Sequence, residues 1–315
     1  MTIKASTIVK ADARLIRIPV NPARGDAIQK FEALELPIVW ITDHAGQTGV
    51  GFGYTIGRGG STILELLRKE LLISLEGKDS RHIASIHDYL SKSIHALMPG
   101  CIASNAIAAI DVALWDLAGK RTNTPLYVLL GGAKDRVLAY NTDVGWLDRP
   151  LEELVECCLQ AVFKDGFRAL KLKVGKENPH EDVERVARVR EAVGSKVKLM
   201  IDANQSWTLD EAVPRLEKLS PYDLYWVEEP LPATDLDGYK KLGWHIGVAR
   251  AGGESLYSVA DFHHCIQQDA LDILQPDVAR IGGITNAMKV CHLAECADLK
   301  VAPYVSPELS VTVAA

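Results

Sequence analysis

Lys198-Leu199-Met200-Ile201-Asp202 is followed by two more segments of the same plan, Leu224-Tyr225-Trp226-Val227-Glu228 and Val248-Ala249-Arg250-Ala251-Gly252-Gly253-Glu254. Each is a short run that reads as a β-strand and ends at or near a carboxylate. A constant step of 26 residues separates Asp202, Glu228 and Glu254. That step fits one strand plus one crossover helix, so the spacing predicts successive parallel strands that each present an acid at the C-terminal end. A single acid after a strand is ordinarily a helix N-cap or a solvated loop residue. Three in register point to hard oxygen ligands converging on a Mg²⁺ ion.

Working outward, the same alternation of strand and amphipathic helix runs from Val137 to the end of the chain. The predicted strands are 137–142, 168–174, 198–202, 224–227, 248–252, 271–275 and 300–302. Seven such units predict an α/β fold, a modified (β/α) TIM-type barrel whose active site lies at the C-terminal ends of its strands. The second strand carries Lys171-Leu172-Lys173, which places both lysines on one face by period-two alternation. The sixth ends in Gln275-Pro276-Asp277.

Before the barrel, strands are expected at 6–18 and 36–42, then a glycine-rich strand-turn-strand from Gly46 to Gly60. No βαβ unit surrounds those glycines, so a nucleotide loop is disfavoured. Helical periodicity follows from Ser61 to Lys120. Strands followed by helices imply an N-terminal α+β capping domain over residues 1–130, and the Gly131-Gly132 turn opens the barrel domain, 131–315.

Composition fits this layout. The chain has 315 residues, 48% apolar and 24% charged, which is globular composition. Thirty-five basic and forty-one acidic side chains give a net charge of −6, so the overall field favours neither nucleic acid nor an anionic membrane. Six cysteines without CxxC spacing read as free thiols in a reducing compartment. Met1-Thr2-Ile3-Lys4-Ala5 shows no apolar leader, and no stretch reads as approaching a membrane span, so a cytoplasmic protein is expected.

These segments resemble the enolase superfamily, and within it the mandelate racemase subgroup, over essentially the whole chain. The resemblance is carried by residues 169–174, 200–207, 226–231, 252–255 and 275–285, and by 109–116 and 125–132 at the passage from cap to barrel. It implies a Mg²⁺-dependent enzyme that removes the proton α to a carboxylate. The superfamily is itself a standard example of a Lys or His base working with Mg²⁺. Asp202, Glu228 and Glu254 carry over as metal ligands and Lys173 as the base. Lys171 is expected beside it, where a neighbouring cation and burial would disfavour charge. Asn204 is expected to hydrogen-bond near the metal or Lys173.

One position departs from the family pattern. In the subgroup an Asp after the sixth strand orients a His after the seventh; Asp277 fits the first, but Tyr304 stands at the second. A tyrosine near pKa 10 is a poor base and a possible proton donor. His263, His264 and His292 fall in predicted helices and do not replace the missing group. The expectation is therefore a sugar-acid dehydratase acting on a small anionic hydroxy-carboxylate. An epimerase, a cycloisomerase, or a weakened homologue that binds metal without turnover are the alternatives, and a non-catalytic scaffold is the reading from another class.

The resemblance also assigns specificity to two mobile cap loops, Asn21–Asp26 and Tyr54–Gly60. Arg24 and Arg58 there could neutralise a distal carboxylate, and Tyr54 could bond a hydroxyl or screen water. It implies a homo-oligomer, and a closing strand beyond Ala315 that this sequence lacks.

Overall fold

The computed structural model describes residues 5–315; the reading of Met1–Lys4 as free of an apolar leader lies outside them. The chain opens with an antiparallel sheet of β1 (Ile8–Gly25), β2 (Lys30–Asp43) and β3 (Thr48–Phe52), ordered β1-β2-β3. Three cap helices follow, α1 (Gly60–Leu66), α2 (Ile83–Ser93) and α3 (Cys101–Thr122), then the short α4 (Leu126–Leu129). Glycine spacing in β3 serves close packing. A Cβ on Gly49 would lie 2.0 Å from the Ala113 carbonyl oxygen, and one on Gly51 2.2 Å from that of Ala109, so only glycine lets the strand press onto α3.

At 22 residues and mean hydropathy 1.5 over its best window, α3 is long and apolar enough to cross a membrane. This corrects the expectation that no stretch approaches such a span. The window is 72% buried against the cap sheet and the barrel, which accounts for its apolarity as core packing.

Seven parallel strands form the second sheet: β4 (Asn141–Gly145), β5 (Ala169–Lys173), β6 (Lys198–Asp202), β7 (Leu224–Glu228), β8 (Ala249–Gly252), β9 (Ile273–Leu274) and β10 (Lys300–Val301). Their spatial order follows the chain from β4 to β10, and those two are the edges of the described sheet. Helices α5 (Leu151–Phe163), α6 (Pro179–Val193), α7 (Leu209–Leu219), α8 (Leu236–His245), α9 (Val259–Gln267) and α10 (Ile284–Cys296) cross between strands, and α11 (Pro307–Ala314) follows β10. Strand β4 lies later than the expected 137–142. Its pairing with β5 begins only at Asn141, and Leu138 stands in solvent at 94% exposure, so an apolar residue there marks no ladder. The extents of the first two strands also differ, since β1 runs on to Gly25 and β2 begins at Lys30.

Period-two alternation sorts the barrel side chains. Leu170, Leu172, Leu199, Ile201 and Val227 join the large apolar layer under the helices. Met200, Trp226, Ala251 and Ile273 form a separate cluster that plugs the barrel interior. Lys171, Lys173, Asp202 and Glu228 share the inward alternation, so the charged groups lie above this plug.

Helix α3 also keys the cap to the barrel. Buried Asp111 accepts from the Thr285 backbone N–H at 3.0 Å and from its hydroxyl at 2.6 Å, capping the first turn of α10. Trp115 Nε1 donates to that hydroxyl at 3.0 Å. Burial pushes the Asp111 carboxyl up to about 7, against the Thr285 bonds that favour its charge. An unfolded aspartate titrates near about 3.9, so between these values the native state binds a proton that the unfolded chain has released. Stability is expected to fall as pH rises from about 4 towards about 7 and to level off above. Asp111→Ala should cost about 1–3 kcal/mol near the low end of this window and flatten the slope. Urea unfolding across the pH series checks this, and an unchanged slope would exclude Asp111 as its source.

Candidate active site

Asp202 and Glu228 end adjacent strands and face one another in register. Glu254 reaches the same place differently. Glu228 is level with Ala251, and Gly252-Gly253 carry the chain past the end of β8 before Glu254 turns in. One carboxylate oxygen from each of the three acids lies within 4.8 Å of the others, and all three residues are buried. Three like charges at that separation repel strongly unless cations offset them.

In this structure the cations are lysines. Lys173 Nζ donates to Asp202 Oδ2 at 2.6 Å, and Lys171 Nζ lies 3.1 Å from the same oxygen while also donating to Glu228 Oε1. Burial raises the Asp202 pKa, but Lys173 and then Lys171 outweigh it and hold the carboxyl well below its usual range. Glu228 is pushed upward, by burial first and Asp202 second. Lys171 departs from expectation. Burial lowers its pKa, yet Glu228 and Asp202 together hold its ammonium charged, so two acids decide the matter over one neighbouring lysine.

The donor set suits a small hard cation. It consists of carboxylate oxygens only, and Glu254 Oε2 is buried with no hydrogen-bond partner among the described residues. Glu228 Oε2 is oriented from below by Gln275 Nε2 at 2.8 Å and Trp226 Nε1 at 3.2 Å. The Asn204 backbone N–H donates to Asp202 Oδ1 at 2.9 Å, while its own side-chain oxygen is buried and unpartnered among the described residues. Asn204 thus reaches an acid through its backbone alone, and its side chain makes no bond to Lys173 among the described residues.

Across the site, Asp277 is fully buried and accepts a hydrogen bond from the Tyr54 hydroxyl at 2.5 Å. Arg280 bridges the two halves. Its Nε lies 3.4 Å from Asp277 Oδ2, and its Nη1 lies 3.3 Å from Glu254 Oε1 and donates to the Glu254 carbonyl at 3.0 Å. The guanidinium also lies 5.6 Å from the Tyr54 ring and 5.7 Å from the Tyr304 ring. Tyr304 is half-buried, with Lys171 Nζ 5.5 Å from its ring centre, and its backbone N–H donates to the Pro276 carbonyl at 3.0 Å. Burial raises both tyrosines well above 10, helped at Tyr54 by Asp277 and at Tyr304 by Glu254. Burial alone would lower Arg280, but its anionic neighbours hold it charged. Asp277 itself is raised by burial, against Arg280 and Tyr54.

The cap-loop residues divide. Tyr54 is inside the site, where its hydroxyl bonds Asp277. Residues 21–25 belong to β1 and are not a loop, because β1 pairs again with β2 at Arg24–Phe31 after a register shift. Arg24 is paired with Asp143 at 3.3 Å and lies 5.9 Å from the Trp146 ring, whose centre is also 5.7 Å from Lys173 Nζ. It therefore stands at the edge of the site through Trp146. Arg58 is exposed and joins no ion pair among the described residues, so it is not brought into the acid–lysine cluster.

Sequence reasoning missed Gln275, Trp226 and Arg280. Alternation from Asp277 and Glu228 could have turned the first two inward. Arg280 lies in a turn beyond its strand, where no periodicity applies.

Comparison with known proteins gives matches over nearly all of the chain. Residues 4–131 match the family described as mandelate racemase / muconate lactonizing enzyme, N-terminal domain, and residues 153–315 match enolase C-terminal domain-like. The chain is similar to a 3,6-anhydro-α-L-galactonate cycloisomerase from Streptomyces coelicolor, at 37% identity over 94% of this chain and 82% of that one. It is similar to an L-talarate/galactarate dehydratase from Salmonella typhimurium, at 36% identity over 88% of this chain and 69% of that one. A crystal structure of L-talarate dehydratase from Polaromonas, complexed with Mg and L-glucarate, superposes with a TM-score of 0.93 at 34% identity, covering 98% of this chain and 84% of that one.

Proposed function

The chain belongs to the mandelate racemase/muconate lactonizing enzyme family of enolase-like proteins, and from that premise we propose that it dehydrates a sugar acid to a 2-keto-3-deoxy acid with Mg²⁺. Asp202, Glu228 and Glu254 would hold the ion. When bound, Mg²⁺ supplies the concentrated positive charge that makes a proton next to a carboxylate acidic enough to be lost. Lys173 takes the α-proton, and the C–H electron pair moves into the carboxylate. As that pair returns, the bond to the β-hydroxyl breaks, the oxygen leaves with its electrons and a proton from the Asp277 side, and the enol product becomes the ketone. Lys171 holds Glu228 and Asp202 in place. The cap is taken as residues 1–130 and the barrel as 131–315.

One observation favours dehydration over epimerisation. The groups around Asp277 are Tyr54, Tyr304 and Arg280, all held protonated by their surroundings. Epimerisation by two bases needs a proton acceptor on each face of the α-carbon. This site offers an acceptor on the Lys173 face and donors on the other. Cycloisomerisation also uses one base and one acid, and the Streptomyces coelicolor relative keeps it as the second reading.

Incubating the protein with Mg²⁺ and a panel of aldonates and aldarates should yield a 2-keto acid from at least one. Exchange or epimerisation throughout the panel without water loss would sink the dehydratase reading. Tyr304→His separates a working site from a damaged one. It should lower dehydration, because the new imidazole would compete for Asp277 and the ring beside Lys171 and Arg280 would be lost. A tenfold or larger gain would mean that the native site is an impaired His–Asp pair.

A further inference from the structure

Tyr54 and Asp277 lie 223 residues apart in sequence, one in the cap and one in the barrel, yet their oxygens are 2.5 Å apart and both residues are buried. The turn bearing Tyr54 is held there by its backbone N–H, which donates to Asn105 Oδ1 at 3.1 Å. Arg280 stands beside both partners, 3.4 Å from Asp277 Oδ2 and 5.6 Å from the Tyr54 ring. Tyr304 makes no hydroxyl bond to Asp277 among the described residues, and its link to that loop is through backbone.

Resting on the dehydratase reading above, we infer that Tyr54, and not Tyr304, hands the proton to the departing β-hydroxyl, with Asp277 resupplying Tyr54 and Arg280 holding the charge left behind. As the C–O bond breaks, its electron pair stays on oxygen and takes the Tyr54 proton, giving water. The tyrosine oxygen takes the Asp277 carboxyl proton, and Asp277 ends as a carboxylate facing the Arg280 guanidinium. Burial biases Asp277 towards the protonated form that this relay starts from. The short O–O separation serves the hydrogen bond in either direction. The cap thereby contributes the acid of the reaction as well as a cover for it.

The test separates α-proton removal from elimination. Wild type and variants are incubated in D₂O with Mg²⁺ and galactarate, L-talarate, D-galactonate or arabinonate. Deuterium at the α-carbon of recovered substrate is read by NMR, and the 2-keto product by its carbonyl. Tyr54→Phe is expected to slow elimination by about 10²–10⁴-fold while Lys173 still exchanges the α-proton, so the ratio of exchange to elimination rises steeply. A smaller shift is expected in Tyr304→Phe. An unmoved ratio in Tyr54→Phe, or an equal shift in Tyr304→Phe, overturns the assignment of the donor. If Tyr54→Phe does not fold, Asp277→Asn is read by the same ratio and decides. A wild-type protein that neither exchanges nor eliminates on any of the four acids overturns the dehydratase reading, and this inference with it.

Discussion

Lys173→Ala is expected to remove exchange of the substrate α-proton in D₂O together with product formation, a loss of at least about 10²–10⁴-fold for a positioned base. The side chain ends β5 at 5% exposure with its amine on Asp202. Among the described residues no other amine has that placement, since Lys171 is engaged by two carboxylates. The fold should survive, because Asp202 keeps Lys171 at 3.1 Å as its counter-charge. Lys173→Arg should be as inactive as the alanine variant despite its retained charge, since a guanidinium does not lose its proton below about pH 12. Exchange continuing at the wild-type rate in either variant would remove Lys173 from the role of base.

Added Mg²⁺ is expected to raise the melting temperature. Ligand at a hundred times its dissociation constant stabilises by about 2.7 kcal/mol. For a protein of this size that corresponds to roughly several degrees. Glu254→Gln should abolish this increment while leaving the metal-free melting temperature nearly unchanged. Among the described residues its carboxylate oxygens carry only the Arg280 contact at 3.3 Å, and Arg280 keeps Asp277. An increment that persists in Glu254→Gln would show that the ion binds elsewhere, and none in the wild type would count against a metal site altogether.

The half of the site that lies on strands was legible in the sequence. Lys171, Lys173, Asp202 and Glu228 sit inside β5, β6 and β7, where period-two alternation and parallel register convert sequence position directly into direction. Glu254 was legible through the two glycines that follow Ala251: Glu228 pairs with Ala251, and the third acid arrives beyond the strand.

What was not legible depends on the docking of one part of the chain against another. Nothing local to Tyr54 points to Asp277, because the bond exists only once the cap is seated. Arg280 is set by the turn after β9, and the start of β4 by which residues find a ladder partner. The charge of Lys171 was misjudged from one neighbour in sequence, when the deciding neighbours were acids on other strands.

Among the described residues helix α3 makes no hydrogen bond to a reacting side-chain atom, yet it supports both ends of the Tyr54–Asp277 bond. Asn105 fixes the Tyr54 turn, and six residues on Asp111 grips the start of α10, just beyond the Asp277–Arg280 turn. It works as a gauge block, with its length between those two residues setting the gap across which the two oxygens meet. Transplanting the Tyr54 turn alone onto a relative would therefore import the phenol without its alignment. A graft that carries residues 101–122 along with the turn would keep both.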